Sequence, residues 1–385
     1  MKLGLIGIDE VGLAFGLLCE KHGYDVLISD SREDYVFNLN QKICITNEPL
    51  IQSMLFDTNI FSATTSNIDV IKNTDIIFVF SPTPSNIEGN YDTTKVFDIV
   101  SHFYSLSSQD VSLYNKKVVV CSTTNPGEVE QIQQRLNMFN IQVAYCPLFT
   151  NEGDIVKDIE NHEMILVGGE YQELTNILIQ LHTKIKKSIV NVYSMSSKAA
   201  ELAKIGVNSF LSAKISYANM MGEIITKSGI EDEVNVVLNA IGGDSGIGKK
   251  HMRYGFGFAG PSINGDNKSL KHFAESIGAN TNLISSVDTF NQSHILFLKK
   301  HYTEKNPTKD IPFVMNHISY KRGTNILEES QHFQLCVELL NDGYSLNVIE
   351  SSEVANKLNS LSESYDGRLK FFKYGSKPEG ILIDL

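Results

Sequence analysis

The sequence predicts an α/β protein with two parallel-sheet units, the second smaller than the first, joined by a long central helix and a helical middle. Three observations predict it. Over residues 1–195, short β-branched apolar runs alternate with helical patterns, the signature of strands joined by crossover helices. Residues 196–228 then form one long run of small and apolar residues at helical spacing, without proline. After residue 301 the strand-and-helix alternation returns on a smaller scale.

Taken in order, strands are expected at residues 2–7, 25–30, 75–80, 117–121, 142–145 and 164–167. A long helix is expected over 196–228, a second over 231–240, a glycine-dense loop over 241–260, and more helix over 269–300. Residues 301–309, polar and containing Pro307, read as a linker. Beyond it, apolar runs at 313–319, 346–350 and 380–385 flank a helix at 329–341. A chain of 385 residues suits two or three cores. The expected domains are 1–195, 196–300 and 301–385.

Composition narrows the function classes. Hydrophobic residues at 42% and charged residues at 20% are ordinary globular values. No segment approaches the roughly 18 to 20 unbroken apolar residues of a membrane span. Asp9 and Glu10 interrupt the apolar N-terminus before any cleavage site, so a cytoplasmic address is expected. A net charge of -12 argues against a nucleic-acid surface, and the short basic cluster Lys249-Lys250-His251-Met252-Arg253 reads as a solvated turn. Five cysteines, Cys19, Cys44, Cys121, Cys146 and Cys336, are widely spaced and mostly set in apolar runs. They suit reduced core thiols better than disulfides or a metal site.

The first strand runs into Gly7-Ile8-Asp9-Glu10-Val11-Gly12 and then a helix, and Asp30 ends the next strand. That is Rossmann context. The first glycine permits the turn, the second lets backbone approach a pyrophosphate, and the third lets the helix pack on the sheet. Here the second is Asp9, whose carboxylate repels a diphosphate and occupies its space. Two readings follow: an NAD site of reduced affinity, or a Rossmann fold that no longer binds NAD tightly.

Further motifs carry a resemblance. They are Ser81-Pro82-Thr83-Pro84 with Tyr91-Asp92; Ser122-Thr123-Thr124-Asn125-Pro126-Gly127; Cys146-Pro147-Leu148-Phe149-Thr150-Asn151-Glu152-Gly153; and Val167-Gly168-Gly169-Glu170. Then come Glu201-Leu202-Ala203-Lys204 with Asn208, Lys214-Ile215-Ser216-Tyr217-Ala218-Asn219, the run from Tyr254 to Ser262 with Asp266, and Ser319-Tyr320-Lys321 with Thr324 and Glu329-Ser330. In this order, over nearly the whole length, the chain resembles the UDP-glucose/GDP-mannose dehydrogenase family.

The resemblance implies oxidation of a sugar C6 alcohol by NAD, twice in succession, through a cysteine-bound thiohemiacetal and thioester. It implies a UDP- or GDP-linked sugar as substrate, a homodimer formed through the central helix, no metal, and a place in polysaccharide biosynthesis. It places catalytic roles on Ser262, Lys204, Asn208, Asp266 and Thr123. Cofactor contacts fall on Gly7, Gly12, Asp30, Thr83, Thr123 and Glu152, and substrate contacts on Lys204, Asn208, Gly255, Phe256, Gly257 and Lys321. Lys204 and Asn208, four apart on a helix, face the same way and suit an oxyanion at C6. Asp266 is expected to orient Lys204 or a water, an Asp just before a helix being equally a common N-cap.

The departures concern chemical groups. Ser262 stands where the family has its nucleophilic cysteine, Leu148 where it has a glutamate, and Gly265 and Glu328 where it has cations near NAD. Tyr35 and Gly246 replace two further basic residues. A serine hydroxyl is far less ionised than a thiol and needs a base, so the second oxidation is expected to be impaired. Each lost charge-assisted phosphate contact removes roughly 1.5 to 3 kcal/mol. The alternative is a catalytically inactive nucleotide-sugar-binding or assembly homologue; unrelated NAD-dependent chemistry on the same fold stands as a third reading.

Overall fold

A computed structural model describes residues 1–384 except 59–61, 87, 108–112 and 188–190. The chain forms two compact units, Met1–Ile205 and Gly206–Leu385, and the boundary falls inside one continuous helix, Ser197–Lys227.

The first unit holds, among the described residues, eight strands: β1 (Lys2–Ile6), β2 (Asp25–Ser29), β3 (Ser62–Thr64), β4 (Ile76–Val79), β5 (Lys117–Val120), β6 (Gln142–Tyr145), β7 (Met164–Gly168) and β8 (Asn191–Met195). Their order in the sheet is β3-β2-β1-β4-β5-β6-β7-β8, the doubly wound arrangement with its crossing point beside β1. Central strands are buried on both faces, as in the Ile-Ile-Phe-Val of β4, because helices cover both sides of a parallel sheet. Helix Glu10–Lys21 buries eight consecutive residues from Gly12 to Cys19, with an acid in its first turn and Lys21 in its last, matching the helix dipole.

One pairing departs from the expected all-parallel sheet: β6 and β7 are antiparallel, meeting through Tyr145 and Gly168. Apolar periodicity identifies a strand but carries no information on its direction. Gly168 also seats the start of the long helix. A Cβ there would stand 2.6 Å from that of Ala200.

In the second unit β9 (Phe313–Met315), β10 (Leu346–Ile349), β11 (Leu369–Phe372) and β12 (Ile381–Ile383) form a parallel sheet of order β11-β10-β9-β12. The expected helix over 269–300 is two helices, Pro261–Ser276 and Asn282–Lys305. The first therefore starts eight residues earlier, with Pro261 in its first turn, where a missing N–H costs nothing. The segment 301–309 is not a linker over its length, since helix Asn282–Lys305 continues through 301–305 and buries Tyr302. Ile295, Leu298 and Tyr302 join Phe313, Leu335 and Leu346 in one apolar core. Among the described residues no helix is long and apolar enough to cross a membrane, none of the cysteines is paired, and no cluster of His, Cys, Asp and Glu is placed to hold a metal.

The tightest approach to the long helix is at Gly222, where an added Cβ would lie 2.0 Å from the Tyr254 ring. Gly222→Ala gains about 1 kcal/mol of helix propensity but forces the ring away, at about 1 to 3 kcal/mol. A net loss on the order of 1 kcal/mol is expected in urea unfolding. An unchanged or higher midpoint would show that Tyr254 moves freely.

Candidate active site

In the first unit the candidate residues gather at the carboxyl ends of β1, β2, β4, β5 and β6, where ligands bind in open α/β sheets. Gly7 has φ +75°, and a Cβ there would come within 2.4 Å of the Ser81 hydroxyl. Gly12 lies flush against Phe80, 2.9 Å from where its Cβ would be. Both glycines thus have the shape roles expected of them. Asp9 caps the helix: its Oδ1 accepts from the Gly12 amide at 2.8 Å. Desolvation pushes this carboxyl up to about 6, against the lowering pull of backbone N–H groups.

Asp30, at the buried end of β2, is held by a fork. Arg32 Nε donates to Oδ1 at 2.7 Å and Nη2 to Oδ2 at 2.9 Å, while Nη2 also donates to the Ile8 carbonyl at 2.7 Å. The guanidinium lies 4.1 Å from the centre of the Tyr35 ring. A cation thus stands two residues after Asp30, where sequence reasoning did not look for one, and its guanidinium is engaged by Asp30 and the Ile8 carbonyl. The turn matches a dinucleotide in its glycines and in the place of Asp30, and disagrees with one at Asp9.

The loops after β4 and β5 are tied together. Ser122 Oγ donates to the Ser81 carbonyl at 2.8 Å, and Asn125 and Tyr91 exchange two bonds, side-chain amide to backbone, at 2.9 and 3.0 Å. This brings Thr83, half-buried, and Thr123, half-buried, into adjoining loops. Beneath them lies Glu201, fully buried. Its carboxylate accepts from Thr124 Oγ1 (2.8 Å), the Gly127 amide (2.6 Å) and the Val129 amide (3.0 Å). Glu201 is the main residue that sequence reasoning missed, although it belongs to the motif quoted with Lys204. Lys204 is buried one turn later, its ammonium 5.3 Å from the centre of the Phe149 ring. Leu148 packs against the apolar core. Glu152 is half-buried in the loop after β6, where Glu48 holds the Gly153 and Ile155 amides.

In the second unit Asn208 Nδ2 donates to Asp266 Oδ2 at 2.6 Å. Asp266 is 1% exposed and lies inside helix Pro261–Ser276, so it is not an N-cap. The expectation arose because the helix start was placed at 269. A neighbouring ladder, Ser209 to Asn267 to Asp288, joins three helices. Ser262 is exposed on the first turn of its helix. The glycine loop before it is pinned on its backbone. Gly255 N donates to Asn219 at 3.0 Å, Gly257 N to Gln331, and Asn291 Nδ2 to the Phe258 carbonyl at 2.9 Å. His294, wholly buried, bonds the Gly255 carbonyl through Nε2 at 2.8 Å and Glu223 through Nδ1 at 2.7 Å. The Phe256 ring stacks on His332 at 3.6 Å. Lys321 sits in a turn where its carbonyl accepts from Ser319 Oγ at 3.0 Å.

Residues 1–186 match the family model for the UDP-glucose/GDP-mannose dehydrogenase family, NAD binding domain, and residues 198–293 match the model for that family's central domain. The chain belongs to the UDP-glucose/GDP-mannose dehydrogenase family. Among curated relatives it is 25% identical over 363 residues to a putative UDP-glucose 6-dehydrogenase, YtcA, of Bacillus subtilis, covering 92% of this chain and 82% of the relative. It is 25% identical over 353 residues to UDP-glucose 6-dehydrogenase of Pseudomonas aeruginosa, covering 89% and 77%. Among solved structures, a UDP-glucose dehydrogenase from Pyrobaculum islandicum superposes with a TM-score of 0.84 at 21% identity, over 96% of this chain and 85% of that one. At that identity the likeness speaks to fold. Against the family pattern, Gly265 is buried within helix Pro261–Ser276, and Glu328 and Gly246 are exposed.

Desolvation pushes Glu201 up to about 7 from the 4.5 of a free glutamate, against the pull of its three donors. The folded chain thus binds this proton more tightly than the unfolded one. The stability it contributes is complete below about 4.5 and is lost as pH rises towards 7, on the order of 3 kcal/mol over the window. Urea unfolding at a series of pH values should show this slope, and Glu201→Gln should flatten it. A slope that persists in the variant would assign it to another group.

Proposed function

We propose that the chain oxidises the C6 alcohol of a UDP- or GDP-linked sugar with NAD as hydride acceptor, and that the second oxidation, from aldehyde to acid, is impaired. One observation carries this reading. The pinned glycine loop and the Asn208–Asp266 pair are kept, while the side chain on the first turn after the loop is the hydroxyl of Ser262. Lys204 and Asn208, one turn apart on the long helix, are assigned to the C6 oxygen as its proton passes to water, and Thr123 shares the catalytic role. Asp266 acts through Asn208, fixing which way the amide points. Gly255, Phe256, Gly257 and Lys321 hold the sugar nucleotide; Gly7, Gly12, Asp30, Thr83 and Glu152 serve the cofactor.

Ser262 adds to an aldehyde far less readily than a thiolate and gives an oxygen ester that water cleaves more slowly than a thioester. No base is bonded to its hydroxyl among the described contacts. The reaction therefore ends mainly at the aldehyde. A second reading, a binding protein without turnover, is favoured by one observation, the engagement of Asp30 by Arg32.

The chain works as a homodimer. Phe210, Tyr217 and Ile224 repeat every seven residues along the long helix and are 68%, 46% and 49% exposed, a stripe of the kind that marks an interface. Light scattering should give twice the mass of 42.9 kDa, and Phe210→Glu with Ile224→Glu should halve it. A monomeric wild type sinks the dimer.

With a panel of UDP-, GDP- and dTDP-sugars, NADH absorbance should rise on one of them without matching uronate. Ser262→Cys should then yield uronate, at a rate at least about tenfold above wild type. Silence across the panel, in both proteins, supports binding without turnover.

A further inference from the structure

The turn after β1 uses its anion-binding capacity on the protein itself. A helix N-terminus presents unpaired N–H groups and a positive dipole end to an anion. Here the Asp9 carboxylate accepts from the Gly12 amide at 2.8 Å. Arg32, a cation that acts on Asp9, is committed to a second carboxylate, that of Asp30, and to the Ile8 carbonyl one residue before Asp9. Gly7 and Gly12 leave no room to shift the turn, since each abuts Ser81 or Phe80. A diphosphate arriving at this helix end meets either a charged carboxylate in its place or a neutral carboxyl that yields.

We infer that Asp9 is an internal stand-in for the cofactor's diphosphate, and that dinucleotide binding to this unit is coupled to the uptake of one proton by the Asp9 carboxyl. This rests on the family's NAD site lying in this turn. The proton comes from solvent, and the neutral carboxyl removes one negative charge from the diphosphate's surroundings. The charged and titratable groups that act on Asp9 are Glu10 on the same helix, bonded to Thr46; Arg32 from the segment after β2, itself bonded to Asp30; and the Cys121 thiol after β5. Glu10 opposes ionisation of Asp9, and the charge of Arg32 is shared with Asp30. The Asp9 carboxylate occupies the Gly12 amide that a diphosphate would use and repels it when ionised, which fixes the sign, and desolvation, raising the carboxyl to about 6, sets the window. Affinity rises as pH falls towards 6 and declines above it.

Calorimetric titration of NAD into the full chain, without sugar, at about pH 6 and pH 8 tests this, with Asp9→Gly and Asp9→Asn alongside. Glycine is tolerated at an N-cap at a cost of a few tenths of a kcal/mol and asparagine caps well, so both variants should fold, as circular dichroism will check. Wild type should bind at least about tenfold more tightly at the lower pH, each pH unit above the pKa weakening binding up to tenfold. Its heat should depend on the buffer's ionisation enthalpy. Both variants should lose the pH dependence, and Asp9→Gly should bind at pH 8 at least about tenfold more tightly than wild type. Equal wild-type affinity at the two pH values, a retained slope in Asp9→Gly, or no gain in Asp9→Gly overturns the inference. Proton-coupled binding without oxidation of any nucleotide sugar would sink the proposed function alone. Turnover with pH-independent NAD binding would sink this inference alone.

Discussion

The buried carboxylate of Glu201 is the interaction on which the arrangement of the first unit's loops depends. It accepts two backbone amides and a hydroxyl from residues 124–129, and so fixes the loop after β5 to the first turns of the long helix. A buried carboxylate that loses one of its donors, or a donor that loses the carboxylate, costs several kcal/mol. The loop carrying Thr123 and the helix turn carrying Lys204 are therefore held in one geometry by a residue that needs to touch no substrate. Ser122 then extends the same constraint to the loop after β4.

The second unit shows a comparable division between scaffold and chemistry. Asn219, Gln331, Asn291 and His294 all bind backbone atoms of residues 255–258, giving a glycine-rich segment one conformation despite its intrinsic freedom. None of these partners has to take part in the reaction. Three of the positions read as departures, Ser262, Glu328 and Leu148, lie where side chains face outward or pack on apolar core.

Much of the fold was legible because parallel strands buried on both faces read as unbroken apolar runs, as in β1 and β4. The strands β3, β8 and β11 were not read. The first has the sequence Ser-Ala-Thr, the second is largely exposed at a sheet edge, and the third also ends its sheet; edge strands need not be apolar. The glycine and proline motifs located the loops of the candidate site. Their anchors were hidden by separation along the chain: Glu201 acts on residues more than 70 positions away, and Gln331 on one 74 away. The pairing of Arg32 with Asp30 was within reach of sequence, two positions apart, but the expected cation was sought at position 35. Gly260-Pro261 was the overlooked signal for the true helix start.

Gly260 and Ser262 stand two residues apart under opposite constraints. Gly260 has φ +84° and lies against the Tyr320 ring, 2.7 Å from where a Cβ would be, so any other residue there meets both backbone strain and a steric block. Ser262 is exposed on a regular helical turn and exchanges for another small polar residue at almost no folding cost. The demands of folding therefore hold the loop to one shape at position 260 and leave the side chain at position 262 free to vary, so the two ends of a three-residue stretch answer to different pressures.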